Sequence, residues 1–274
     1  MRNDITVWLL AILLVPFLSS CDKRFLHAVR TSYVQVWYEL EELGCAASET
    51  EADGVPYWRI TVYNNASREL CSLYPGNSND LYRSYCEDHG DVSYPAEEHV
   101  FRSWTVDDGE LYNTSYMADD FVSVDVVAVD DWDEDSPAGS SMAGIAYFTG
   151  QSIREYVENG YLMYDYSSDA ADGLSPFFRD FCDVRWVRPE WPVDKRLEEV
   201  SSDDLYLLGS GFFPHEPPRQ LGWSKSFFSI YIPARPEPYC SRPCRVEVRC
   251  TTASGRMYTA EVEIGPADQT LSGR

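Results

Sequence analysis

Three groups of residues in this chain have types and spacings that chemistry uses. They are the acidic run Asp130-Asp131-Trp132-Asp133-Glu134-Asp135, the segment Cys86-Glu87-Asp88-His89, and the C-x3-C-x5-C series of Cys240, Cys244 and Cys250. Alternating carboxylates suit calcium, because several hard oxygens must converge on one ion. In an EF-hand register starting at Asp131, however, Ser136 stands where glycine is needed and Met142 where a bidentate glutamate is needed. The run therefore predicts a solvated acidic loop after a buried strand, with Asp131, Asp133 and Asp135 in a looser calcium site, completed by distant ligands, as the alternative. Cys86 to His89 matches no zinc spacing and predicts a surface turn or a disulfide, not a metal site. The C-x3-C-x5-C series has no histidine after it and predicts structural cysteines. On an extended strand Cys244 and Cys250 share a face roughly 20 Å apart and cannot bond each other. The partner of Cys250 is then expected from another strand, while Cys240 and Cys244 flank a turn at Arg242-Pro243 that a short disulfide could close.

Catalytic signatures are sparse. The sequence has no Gly-x-Ser-x-Gly, no phosphate-binding glycine loop and no dinucleotide fingerprint. Its four histidines, His27, His89, His99 and His215, have no nucleophile at a recognisable spacing. Paired carboxylates for glycoside hydrolysis cannot be singled out among 45 acidic residues. No cofactor and no catalytic residue are assigned. The 19 Tyr, 12 Phe and 8 Trp are an enrichment; Trp132, Trp186 and Trp191 have flat faces that suit sugars or peptides, but core and cross-strand packing is the expected use.

The elements that must position these groups begin with an export signal. Arg2 precedes an apolar run from Ile5 to Leu18, shorter than the roughly twenty residues of a membrane-spanning helix and proportioned like a secretory leader. It ends in Leu18-Ser19-Ser20-Cys21, an aliphatic residue, two small residues and a cysteine. This tetrapeptide resembles the lipobox of bacterial lipoproteins, and more loosely the leader of Bacteroides-type envelope lipoproteins of unknown function. The resemblance implies cleavage before Cys21 and its lipidation, hence attachment to the cell envelope. Asp22-Lys23-Arg24 lacks the acidic run associated with surface display in that group, so a periplasm-facing anchor is expected over surface exposure.

The same cysteine governs the others. If Cys21 carries lipid, seven remain: Cys45, Cys71, Cys86, Cys182, Cys240, Cys244 and Cys250. An exported setting permits disulfides among them, with the pairing open, but an odd set leaves one thiol over. An ordinary secreted protein with Cys21 in a disulfide is the competing expectation, and only there would Asn65-Ala66-Ser67 and Asn113-Thr114-Ser115 matter as glycosylation acceptors.

Period-two alternation marks strands in SYVQVWYEL, with Val34, Val36, Tyr38 and Leu40 on one face and Gln35, Trp37 and Glu39 on the other, and in WRITVYNN, ending at Asn64-Asn65. Residues 100–104 and 121–129 read as further strands, the latter central. The long stretch between Cys71 and His99 predicts turns, stapled by a Cys71–Cys86 bond or serving a function. Short helices are expected from Ser136-Pro137, from Ser152 with Glu155 to a stop at Gly160, from Ser175-Pro176, and from Ser202 to Gly209. FFSIYIP is a strand, and CRVEVRC with MYTAEVEIG forms a hairpin whose outer faces place Arg245, Glu247 and Arg249 against Thr259, Glu261 and Glu263.

These elements predict a mainly β chain, an antiparallel β-sandwich of seven to nine short strands with a few short connecting helices. The last hairpin resembles the closing pair of an immunoglobulin-like module. The divisions are a signal peptide at 1–20, a lipidated tether at 21–30, a β region at 31–135, a short-helix segment at 136–210, a β-hairpin region at 211–265 and a tail at 266–274. The net charge of -23 excludes nucleic acid as a partner and disfavours anionic lipid surfaces. The expected function is a lipid-anchored, non-catalytic binding or accessory domain for a glycan or protein ligand. A glycan-acting hydrolase is the main alternative, and a purely structural role a third.

Overall fold

The computed structural model describes residues 25–73, 79–95, 97–102, 114–165, 173–181, 187–209 and 226–265. The expectations for Cys21, Cys182 and Trp186 lie outside them. In chain order the elements are β1 (Phe25–Arg30), β2 (Val36–Ala52), β3 (Val55–Ser72), α1 (Asn79–Asp88), β4 (Glu97–Arg102), β5 (Ser115–Met117), β6 (Phe121–Ala128), β7 (Tyr147–Ser152), α2 (Arg154–Glu158), β8 (Tyr164–Asp165), α3 (Pro176–Phe181), β9 (Val187–Arg188), β10 (Trp191–Arg196), α4 (Ser202–Leu205), β11 (Ser226–Pro233), β12 (Cys244–Thr252) and β13 (Met257–Ile264).

Asp53-Gly54 generates the longest feature. Both residues have positive φ, 51° and 78°, as a two-residue type I′ turn requires, and Ala52 pairs with Val55 across it. The resulting β2–β3 hairpin does not end at Asn64-Asn65 but runs on to Ser72, bending at three register shifts. Around it forms a six-stranded sheet in the order β10-β7-β11-β3-β2-β5, antiparallel except for the β2–β5 pair. A three-stranded antiparallel sheet, β13-β12-β6, is the second layer. The chain is thus mainly β and sandwich-like, with four short helices as connectors, as its patterning predicts. Residues 25–30, expected as tether, are instead strand β1, paired with β4.

The main core draws on both sheets. Ile60, Val62, Phe148, Phe228, Ile230 and Ile232 come from the six-stranded layer, and Val126, Ala128, Val246, Val248 and Cys250 from the three-stranded one. Burying each large apolar side chain contributes about 1.5–3 kcal/mol. β11 is central, and its other face is covered too: Phe177 of α3 stacks on Tyr231 at 4.7 Å and accepts that tyrosine's hydroxyl through its backbone oxygen at 3.0 Å. β6 is a correction, since it lies at an edge of the small sheet rather than at its centre.

The terminal hairpin forms in the predicted register, with Val246 opposite Val262, Val248 opposite Ala260 and Cys250 opposite Tyr258. That register sets Glu247 against Glu261, and each of the two like charges is paired with its own arginine. Arg245 binds Glu261 at 3.3 Å and Asp130 at 2.9 Å, and Arg249 binds Glu247 at 2.6 Å.

Candidate functional site

A second core at the start of β2 holds the ionisable groups. Val34 and Trp37 are fully buried there with Cys71, Tyr82, Cys86, Tyr116, Tyr156 and Leu207, while Tyr38 and Leu40 belong to the main core. The simple alternation expected for this strand fails because a register shift between Trp37 and Tyr38 redirects the side chains, and because both faces are covered.

The stretch read as turns contains α1. Its inner face, Tyr82 and Cys86, has the i, i+4 spacing of one helical stripe. Gly90, at φ 70°, closes it in a Schellman motif, with Asp91 N donating to Cys86 O and Gly90 N to Glu87 O. This cap delivers two buried side chains. Asp91 accepts hydrogen bonds from the backbone N–H of Tyr33 (2.8 Å) and Val34 (2.7 Å) and from the Tyr161 hydroxyl (2.9 Å). His89 stacks on Trp37 at 4.3 Å and on Tyr206 at 5.6 Å.

His89 Nδ1 lies 2.7 Å from Tyr85 O, and Nε2 lies 3.1 Å from Asp120 Oδ2. A carbonyl only accepts, so Nδ1 carries a proton, and the Nε2 to Asp120 bond needs one more between its two partners. The pair is therefore a buried imidazolium–carboxylate or its neutral tautomer, both groups being under a tenth exposed. Burial alone would push the histidine down, but the hydrogen bond and charge of Asp120 win and raise it above its ordinary value. Burial raises Asp120 as well, against the hydrogen bond and charge of His89. The other carboxylate oxygen, Oδ1, accepts Leu207 N at 2.8 Å. Leu207 has φ 48°, a conformation a leucine adopts only when its surroundings fix it. Asp120 on one side and Ile153 N, which donates to Leu207 O at 3.2 Å, supply that constraint.

The other chemistry-bearing residues are dispersed. Asp133 Oδ1 accepts the N–H of Asp135 (3.0 Å) and Ser136 (2.7 Å), Asp131 Oδ1 accepts Ala138 N (2.8 Å), and Asp130 pairs with Arg245. Asp131 and Asp133 thus cap their own loop, and no group of three His, Cys, Asp or Glu that could hold a metal ion occurs among the described residues. Trp132 presents no face to solvent; it is buried, and Arg235 lies over its ring at 5.6 Å. The same guanidinium donates to Trp132 O, Asp131 O and Arg242 O, which fixes the acidic loop to the chain before β12.

The six described cysteines are thiols here. Cys71, Cys86, Cys244 and Cys250 are buried, while Cys45 and Cys240 are half-buried. Burial pushes the Cys45 and Cys71 thiols up to about 11.

At the far end of the β2–β3 hairpin, Glu49, Thr50, Glu51, Pro56, Tyr57, Trp58 and Ala234 line an open hollow of about 430 Å³. Cross-strand pairing sets Glu49 beside Trp58 and Glu51 beside Pro56. Residue types alone did not reveal the His89–Asp120 pair. His89 just before a glycine and Asp120 before a β run were legible locally, but their meeting depends on chain segments 31 residues apart.

Together these features define a class, a β-sandwich-like domain with a buried, hydrogen-bonded acid–base pair at one end of its long hairpin and an aromatic, acidic hollow at the other. Comparison with known protein families, curated proteins and solved structures returned no match.

Proposed function

We propose that this chain is an envelope lipoprotein, anchored through Cys21 after removal of residues 1–20, whose β-sandwich body is a non-catalytic binding or accessory domain. What supports this reading is the Leu18-Ser19-Ser20-Cys21 tetrapeptide for the anchor and the open hollow at the tip of the β2–β3 hairpin for binding. Cys21 precedes Phe25 of β1 by four residues, a reach of at most about 14 Å, and β1 leads directly to the second core. The hollow lies at the other end of a 17-residue strand, about 50 Å along the ribbon. On the face that Trp58 shares with Glu49 and Glu51, the indole gives a ligand a ring to stack on, while the two carboxylates accept its hydroxyl or amide protons. His89 and Asp120 are committed to the fold through both ring nitrogens and both carboxylate oxygens.

Mass spectrometry of the mature amino terminus tests the anchor, with a diacylated or triacylated Cys21 expected and a start elsewhere ending the idea. Glycan and peptide arrays probed with the wild type and Trp58→Ala test the hollow, where signal is expected only for the wild type. One observation favours a hydrolase instead. Glu49 and Glu51 are two residues apart on one strand face, which sets their Cα atoms roughly 6.6 Å apart and leaves their carboxyl groups free to reach the roughly 5–9.5 Å separation that glycosidases use. Release of reducing ends from an array-positive glycan, lost in Glu49→Gln or Glu51→Gln, would establish that activity.

A further inference from the structure

The geometry points to two disulfide pairings, Cys71 with Cys86 and Cys45 with Cys250, as the oxidative modification of this fold. Cys71 and Cys86 share one ring. Trp37 is the direct cross-strand partner of Cys71, and its indole N–H donates to Cys86 Sγ at 3.4 Å. Both thiols are buried in the second core, and the charge of a Cys86 thiolate would act on Cys71. Ser32 and Tyr82 also lie within hydrogen-bonding reach of the Cys86 sulfur. A sulfur facing several donor groups suits a disulfide, which accepts hydrogen bonds and has no S–H to place. The bond would tie α1 to the end of β3.

Cys45 and Cys250 come from different sheets. Cys45 pairs with the fully buried Val62 and packs against the main core, and Cys250 lies on the buried face of β12 with Val246 and Val248. The strand beside Cys250 reaches the strand that carries Cys45: Tyr258, the cross-strand partner of Cys250, donates its hydroxyl to Leu40 O on β2 at 2.6 Å. Cys45 is the charged neighbour that Cys250 would feel. A bond here would close the sandwich across its two layers, and Cys250 takes its partner from another strand, as its own strand geometry requires. Cys240 and Cys244 stay outside both pairs: Cys240 lies beside the Glu237 carboxylate, and the Cys244 thiol faces Asp130 O.

Each bond forms by thiol–disulfide exchange with a disulfide oxidant such as glutathione disulfide. One cysteine, as thiolate, displaces a glutathione thiolate to give a mixed disulfide. The second cysteine then displaces the other glutathione, so two protein thiols are oxidised and two glutathione thiols are released. In the cell the pairing rests on the export reading; in vitro it does not, so the two fail separately. The full chain, reduced and then folded in mild detergent, is exposed to a glutathione redox buffer, alkylated and peptide-mapped without reduction. Cross-linked peptides joining 71 to 86 and 45 to 250 are expected, and the thermal midpoint of the oxidised chain should exceed that of the reduced chain by at least about 4 °C. Either pair missing from the map, or either cysteine joined instead to Cys182, Cys240 or Cys244, overturns the assignment.

Discussion

Asp120 is a residue whose loss the fold would feel strongly. Asp120 holds two groups at once, the imidazole through Oδ2 and the strained Leu207 through Oδ1. Asp120→Ala leaves a buried imidazole and a backbone N–H without their acceptor, and the expected loss is about 3–5 kcal/mol in urea unfolding. The pH dependence has a definite sign. Both His89 and Asp120 titrate above their ordinary values in the folded state. A raised group contributes stability that is complete below its unfolded pKa and lost as pH rises through the folded one. Unfolding free energy is therefore expected to fall as pH rises, above about 3.9 through Asp120 and then above about 6.5 through His89, their ordinary values. His89→Gln should flatten that limb, and a slope equal to the wild type would assign the dependence elsewhere. Arg235 is tested differently. Its flat fork reaches three carbonyls, so Arg235→Lys keeps the charge but not the geometry, and a loss of about 1–3 kcal/mol is expected by the same measurement.

At the scale of elements, close approach decides more than propensity. Gly209, expected as a helix stop, lies beyond the end of α4. A Cβ there would sit 2.2 Å from the ring of the buried Tyr116. Gly209→Ala is predicted to cost about 1–3 kcal/mol. Gly144→Ala, which meets only the Glu198 carboxylate at 3.6 Å, should be neutral or raise the thermal midpoint slightly. The helix caps show what was legible. The Ser175-Pro176 start is real, with Ser175 Oγ accepting Phe178 N, and the α4 cap falls one residue early, at Ser201, because Asp204 completes its capping box. The Ser152–Glu155 box does not form; Ser152 Oγ accepts Arg154 N directly. Ser136-Pro137 opens turns rather than a helix. Local chemistry places a cap to within a residue or so, but whether a helix follows depends on what covers it. α1 was hidden for that reason: its single stripe, Tyr82 and Cys86, gains meaning only against Trp37. The Asp-Gly signal of the long hairpin was present in the sequence and went unread.

For the whole molecule, period-two patterning is sufficient for the fold class where a strand buries one face, as β12 does, while β11, covered on both faces, reads as a nearly continuous apolar run. The order of the strands is not local. β7, β10 and β11, from well past the first hairpin, insert beside β3, which only long-range packing can dictate. Charge, by contrast, is read directly from the sequence and acts on the whole fold. With 45 acidic against 22 basic residues, repulsion opposes compaction, while the ion pairs that offset it sit at the surface. Arg68 and Arg256 both reach Glu39, and Arg245 bridges Asp130 and Glu261. Exposed pairs contribute about 0–1 kcal/mol each, and salt weakens them together with the repulsion. The excess of like charge is larger and longer in range, so screening should relieve more than it removes. Raising ionic strength from about 10 mM to 150 mM shortens the Debye length from roughly 30 Å to 8 Å. The thermal midpoint at neutral pH is therefore expected to rise across that series, in sodium chloride as in potassium chloride. A midpoint that falls would mean the Glu39 and Arg245 networks outweigh the net charge. In that case Arg245→Gln, which leaves Asp130 and Glu261 without their shared guanidinium, should reduce the salt dependence, the Glu39 pairs supplying the rest.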